Sequence, residues 1–191
     1  CDHPAINAVT FVGSTKVAKI VYQRASQNLK QVLALGGAKN HILLLPDAHP
    51  EMASSNIVAS MSGCAGQRCM AAATLIAVGN CDAILNKLVD DALKIQCGTT
   101  LGAVISKTAK ERIENYITEA EQQGAKIILD GRNTIVPGKE NGFYVGPTII
   151  DYATADMKIA KEEVFGPVLA IIRVNTIDEA LAIENANPYG N

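Results

Sequence analysis

Short apolar runs, each closed by glycine or proline, alternate along this chain with longer stretches whose apolar residues recur every three or four positions. No other feature limits the fold as tightly. A run of four to eight apolar, β-branched residues reads as a strand, and a 3.6-residue period reads as one face of a helix. Ala8–Val12 is such a run, ended by Gly13-Ser14-Thr15, and Val17, Ile20 and Val21 then mark a helical face leading towards Ser26. Gln31–Leu35, closed by Gly36-Gly37, and residues 41–45, stopped by Pro46, are the next two strands. Residues 50–63 hold few helix breakers and predict a helix; Thr74–Val78 is a strand. Ile84, Leu85, Leu88, Ala92 and Ile95 keep helical spacing. A further helix starts near Ser106, with Thr108 and Glu111 at capping-box spacing, Ile113, Tyr116, Ile117 and Ala120 as its apolar face and Gly124 as its stop. Strands at 125–129, 144–150 and Val168–Val174, a polar loop at 132–142 and a last helix at 178–185 complete the pattern. Strands alternating with helices define an α/β fold with substantial parallel pairing.

Composition narrows the function classes. A hydrophobic share of 48% with 19% charged residues is a globular balance that can bury a core. A net charge of −2, with lysines and arginines scattered, gives no electrostatic case for nucleic acid or an anionic membrane as partner. No apolar run approaches the roughly 20 residues that span a bilayer. The five cysteines, Cys1, Cys64, Cys69, Cys81 and Cys97, are odd in number and form no CxxC pair. That argues against a zinc site, and for a reducing compartment over a disulfide framework. The opening Cys-Asp-His-Pro has neither the charged start nor the apolar core of a signal segment, and it reads as the middle of a longer chain.

The chemistry concentrates at Gly66-Gln67-Arg68-Cys69-Met70. Cys69 directly follows an arginine, and Ser62, Gly63, Cys64, Ala65 and Gly66 before it leave little bulk around the sulfur. The thiolate is the reactive form of cysteine, and a neighbouring cation or a helix N-terminus favours it. The competing reading is a small buried hydrophobe, the commoner fate of cysteine. Phe11-Val12-Gly13-Ser14-Thr15 ends a strand and opens a helix, where backbone amides can hold an anion and Gly13 allows close approach. It can equally be an ordinary turn capped by Ser14 or Thr15. In Lys161-Glu162-Glu163-Val164-Phe165-Gly166-Pro167-Val168, a carboxylate able to bind ribose hydroxyls stands beside an aromatic able to pack on a flat ring. A solvated glutamate pair beside a core phenylalanine is the alternative.

In order and separation, Phe-Val-Gly-Ser-Thr, Leu-Gly-Gly, Gly-Gln-Arg-Cys and Glu-Glu-Val-Phe-Gly-Pro-Val resemble the NAD(P)-dependent aldehyde dehydrogenase superfamily over essentially the whole chain. The resemblance implies Cys69 as nucleophile, Gly13, Ser14 and Gly36 along the NAD cofactor, and Glu163 on the nicotinamide ribose with Phe165 nearby. It implies residues 1–35 as the end of a Rossmann-type cofactor domain and residues 36–191 as most of the α/β catalytic domain. It also implies a homotetrameric parent whose first nucleotide-binding strands and oxyanion-hole asparagine lie before residue 1, and whose oligomerisation strand lies after Asn191. The implied location is the bacterial cytoplasm or the eukaryotic mitochondrial matrix.

Departures sharpen the assignment within the superfamily. Its usual Glu-Leu-Gly-Gly-Lys reads Ala34-Leu35-Gly36-Gly37-Ala38-Lys39, so Ala34 stands where hydrolytic members carry the base that activates water. Losing a general base costs about 10²–10⁴-fold in a proton-transfer step. A thiol, with an ordinary pKa near 8.5, needs less help. Coenzyme A is therefore the expected acyl acceptor. Gly37-Ala38-Lys39-Asn40-His41, Gln67-Arg68-Cys69-Met70-Ala71 and Asn187-Pro188-Tyr189-Gly190-Asn191 resemble the CoA-acylating methylmalonate-semialdehyde dehydrogenase branch. Its small semialdehyde substrates carry a carboxylate, which Arg68 could bind in a bidentate way; alternatively Arg68 ties down the loop. Residues 97–103 look shorter than in relatives and lack their Gly-Pro, and Ala18 stands where many relatives have glycine. His3, His41 and His49 read as structural or surface residues and Cys64 as packing. Two other readings stay open: a non-catalytic interaction fragment, and a hydrolytic aldehyde dehydrogenase using another base.

Overall fold

The computed structural model describes residues 1–190 and divides into two compact units, Cys1–Ala38 and Lys39–Asn191. The first unit is a single βαβ element. Strand β1 (Ala8–Val12) leads through Gly13 and Ser14 into helix α1 (Thr15–Gln27), and β2 (Gln31–Leu35) returns parallel to β1. Gly13 N–H donates to Leu35 O at 3.1 Å, which closes the turn onto the end of β2. Ser14 is the N-cap residue, but its hydroxyl makes no capping bond; Thr15 Oγ1 instead accepts from Gly37 N–H at 2.9 Å.

The second unit is a five-stranded sheet with helices on both faces. Its strands are β3 (His41–Leu44), β4 (Thr74–Val78), β5 (Lys126–Leu129), β6 (Thr148–Asp151) and β7 (Val168–Val174), in the spatial order β3-β4-β7-β6-β5. All pairings are parallel except β5 with β6. The three central strands are buried along most or all of their length, and their unbroken apolar runs are what a sheet covered on both faces requires. Strand alternation divides them. Leu75, Ala77, Leu169 and Ile171 face helices α2 (Pro50–Ser62) and α3 (Asp82–Ala92), while Ala170, Ile172 and Ile150 face α4 (Lys107–Gln122) and the short α5 (Lys158–Lys161). Helix α6 (Ile177–Asn185) covers Ile76 and Val78 through Ala180.

Three local expectations need correction. Helix α4 is capped by Ser106, whose Oγ accepts from Ala109 N–H at 3.1 Å, so Thr108 and Glu111 lie inside the helix and form no capping box. The strand expected at 144–150 begins only at Thr148: Pro147 has no N–H for a ladder, and Gly146 packs against the backbone of Gly131. Cys64 is not packed. It is exposed, with a left-handed backbone at φ 53°.

Candidate active site around Cys69

Helix α2 runs out at Ser62, and the chain then reverses through a tight 3₁₀ turn, Gly63–Gly66. Cys64, Ala65 and Gly66 all have positive φ (53°, 53° and 68°). Left-handed backbone is disfavoured for residues with a Cβ, by about 1–2 kcal/mol each. Small side chains in this stretch keep that strain from being compounded by crowding. Cys69 lies just past the turn and is exposed.

The loop is held at four places. Arg68 Nη2 donates to Ser60 O (2.7 Å) and Ala59 O (3.2 Å) in the last turn of α2, sharing Ala59 O with the Gly63 N–H, and its guanidinium lies against Gly63. Gln67 Oε1 accepts from Ile105 N–H at 2.9 Å, which ties in the segment before α4. Asn40 Nδ2 donates to Cys69 O at 2.6 Å and Ala71 O at 2.8 Å. Gly66 meets Gly166 backbone to backbone: a Cβ at Gly66 would fall on the Gly166 carbonyl and lie 2.7 Å from Pro167 N.

That last contact joins two stretches separated by a hundred residues in the sequence. It sets the loop preceding Cys69 against the end of the Glu163–Pro167 segment. Glu163 and Phe165 are half-buried, and Phe165 takes φ 55° to make the turn into Gly166. Arg112 on α4 reaches Glu163 O at 3.4 Å, and Tyr116 O–H donates to the Glu162 carboxylate. Burial and that bond push the Tyr116 phenol up to about 12. Beneath this segment lies Lys39, 1% exposed, whose ammonium donates to Ile159 O at 2.6 Å. Burial pushes its pKa down to about 8, against the opposing pull of Glu163 and Glu162.

Arg68 therefore occupies the loop-tying position. At about 1 kcal/mol per hydrogen bond, Arg68→Met is expected to lower stability by about 1–2 kcal/mol. A chain of this size then melts roughly 2–8 °C lower, readable by thermal denaturation. An unchanged midpoint would mean that those bonds contribute nothing.

In the first unit, Gly13 and Ser14 are exposed at the start of α1, and Ala34 and Gly36 border a cleft of about 490 Å³ lined by Thr15, Ala18, Lys19, Tyr22 and Gln23. The uncapped Ser14 hydroxyl and the absence of an acid from the first turn of α1 suit an anionic group there. Asn40, Lys39, Gln67 and Gly166 stand within the sequence motifs, but their contacts are visible only in the structure. An asparagine or a lysine carries no local pattern that reveals a partner 29 or more residues away.

The sequence profile of the aldehyde dehydrogenase family matches residues 1–191. The chain belongs to the aldehyde dehydrogenase family. It is 46% identical over its whole length to a probable methylmalonate-semialdehyde/malonate-semialdehyde dehydrogenase [acylating], mitochondrial, of Drosophila melanogaster, and 47% identical to the corresponding protein of Mus musculus. It spans 38% and 37% of those relatives. Among solved structures, the methylmalonate-semialdehyde dehydrogenase of Oceanimonas doudoroffii superposes with a TM-score of 0.95 at 42% identity, covering all of this chain and 41% of that one. A putative methylmalonate-semialdehyde dehydrogenase of Sinorhizobium meliloti, complexed with NAD, gives 0.95 at 39% identity, covering all of this chain and 40% of that one. The fold is thus that of a portion of an aldehyde dehydrogenase.

No helix among the described residues is long and apolar enough to cross a membrane. Nor do the described residues hold a group of three or more His, Cys, Asp or Glu that could bind a metal.

Proposed function

We propose that this chain is the nucleophile-bearing part of an NAD-dependent, CoA-acylating dehydrogenase that converts (methyl)malonate semialdehyde into acyl-CoA. The observation that supports it best is the backbone contact of Gly66 with Gly166, which brings an exposed cysteine loop against the end of the Glu163–Phe165 segment. Its likeness to relatives described as acylating methylmalonate-semialdehyde/malonate-semialdehyde dehydrogenases supports this substrate class.

In this reading residues 1–35 belong to the cofactor domain and residues 36–191 to the catalytic domain. Gly13, Ser14 and Gly36 lie along NAD, for which the uncapped start of α1 is suited. Glu163 accepts hydrogen bonds from the nicotinamide ribose, with Phe165 beside it. Cys69 attacks the aldehyde carbon as the thiolate, a C–S bond forms, and the former carbonyl oxygen takes a proton. NAD, when bound, supplies the hydride acceptor that turns this adduct into a thioester on Cys69. The thiol of coenzyme A then attacks the thioester carbon, and Cys69 leaves as the thiolate. Loss of CO₂, with a proton taken up at the carbon that carried the carboxylate, yields propionyl-CoA from the methylated substrate and acetyl-CoA from malonate semialdehyde. Arg68 faces the substrate carboxylate with the part of its guanidinium not engaged by α2. The parent is a homotetramer, cytoplasmic in a bacterium and in the mitochondrial matrix in a eukaryote.

Neither Ala34 nor Leu35, the residues just before Gly36, is a carboxylate that could activate water. Acyl-CoA is therefore the expected main product of the parent, with turnover rising when coenzyme A is added. Ala34→Glu should raise release of free acid. Equal rates of free acid with and without coenzyme A would make the enzyme a hydrolytic dehydrogenase and end the CoA reading.

A further inference from the structure

The side chains of two consecutive residues, Lys39 and Asn40, reach the two loops on which the proposed chemistry depends. They sit immediately before β3, where an extended chain turns successive side chains to opposite sides. We propose that Lys39 and Asn40 form a two-armed brace, positioning residues that hold the backbone at Cys69 and the base of the Glu163 segment in one fixed register. This rests on the reading of Cys69 as nucleophile and Glu163 as ribose ligand.

The Asn40 arm grips the nucleophile loop along its length. Its two side-chain N–H groups go to Cys69 O and Ala71 O. Its main-chain carbonyl accepts from Ala73 N–H at 3.3 Å and Thr74 N–H at 3.1 Å. One residue therefore fastens the whole path from the nucleophile into the central strand β4. The orientation of the amide is fixed, because a flip would set Oδ1 against two carbonyl oxygens. Oδ1 itself is buried without a hydrogen-bond partner among the described residues. A buried unpaired acceptor costs about 1–3 kcal/mol. The position bears that cost while both donor bonds are kept.

The Lys39 arm holds the other loop. Ile159 O is one of the carbonyls that the single turn of α5 leaves open, and the Lys39 ammonium satisfies it. Glu163 and Glu162 are the charges that counter its burial. A methionine of similar length would fill the same space without desolvating a cation, so the packing alone does not call for lysine. The brace is anchored in turn: Asn187 Nδ2 donates to Lys39 O at 2.8 Å, and His41 Nδ1 pairs with Glu184 of α6.

The two arms make separable predictions, tested with Asn40→Ala and Lys39→Met. In this chain, amide exchange at 70–72 should speed up about tenfold or more in Asn40→Ala and stay near wild type in Lys39→Met. Exchange at 160–164 should show the reverse, and β4 and β7 should keep their protection in both. In the full-length parent, a nucleophile misplaced by an ångström loses up to about 10²-fold in rate, so Asn40→Ala should cut kcat at least tenfold with KM for NAD within about twofold. Lys39→Met should raise KM for NAD about fivefold or more and leave kcat within about twofold, as expected when cofactor binding is weakened equally in ground and transition states. A merely structural residue would change both parameters together or neither. Either result, or local exchange unchanged in both variants, overturns the brace. If a variant does not fold, the wild-type chain decides. The Asn40 side-chain amide protons should exchange slowly and shift when Cys69 is alkylated; free exchange with no shift overturns the proposal. A wild-type parent without NAD-dependent turnover would remove the proposed function, while the exchange data would still decide whether the brace exists.

Discussion

Gly66→Ala is expected to destabilise this chain by about 2–5 kcal/mol, combining the left-handed penalty for a residue with a Cβ and the cost of overpacking a closed contact. At roughly 2–4 °C per kcal/mol for a protein of this size, the thermal midpoint should fall by about 4–20 °C. The backbone of Gly66 has φ 68°, and its missing side chain leaves the space that the Gly166 carbonyl and Pro167 N occupy. No flexible side chain stands there to move aside. Gly79→Ala separates the two costs. Gly79 has nearly the same conformation, φ 65°, but its nearest neighbour across the gap is Pro46 Cγ at 4.0 Å. Alanine at 79 therefore carries the conformational penalty without the collision. The difference between the two variants measures the close approach alone. Equal losses at the two positions would mean that the loops at 66 and 166 do not touch as described. In the parent, the proposed mechanism expects Gly66→Ala also to lower turnover, because the Cys69 loop and the Glu163 segment must shift apart to admit the methyl group.

The contact also marks where sequence reading stops. Strand and helix positions in both units follow from local periodicity, and the breakers that end them are visible residue by residue. Pro46, Gly124 and the Gly36-Gly37 pair all fall at element ends. Cys69 stands out because a cysteine flanked by an arginine and small residues is a local signature. The partner of Gly66 lies a hundred residues away, and a glycine looks the same whether it serves a turn, a flexible loop or a backbone collision avoided. Asn40 has the same difficulty: its two acceptors are main-chain carbonyls, and any residue type supplies those. Ser106 rather than Thr108 caps α4 because its backbone is extended while that of Thr108 is already helical, which the capping-box spacing alone does not reveal. Cys64 departs from the sequence expectation for a related reason. A small apolar residue in a small-residue run suggests burial, but the left-handed turn carries it outward.

If Cys69 is the nucleophile, as proposed, Cys69→Ser should abolish the dehydrogenase activity proposed for the parent, by at least about 10³-fold, the scale seen when a nucleophile that acts as part of a unit is removed. A thiol is a far better nucleophile than an alcohol and ionises far more readily. Serine keeps the shape of the site, so NAD binding should persist, which distinguishes lost chemistry from a collapsed loop. Reactivity gives a second reading on this chain itself. Cys81 is buried, and burial pushes its thiol up; burial does the same to the half-buried Cys97. Neither should compete for iodoacetamide at neutral pH. Cys1 and Cys64 are exposed, so the informative comparison is between them and Cys69. Cys69 has Arg68 next to it in the sequence and its own carbonyl held by Asn40, while Cys64 sits in the left-handed turn with its carbonyl bonded to Gln67 N–H. Peptide mapping after brief labelling should find Cys69 modified first, and Cys64→Ala should leave its rate unchanged. Preferential labelling of Cys64, together with turnover that survives Cys69→Ser, would move the nucleophile five residues along the chain and remove the Gly66 contact from the chemistry.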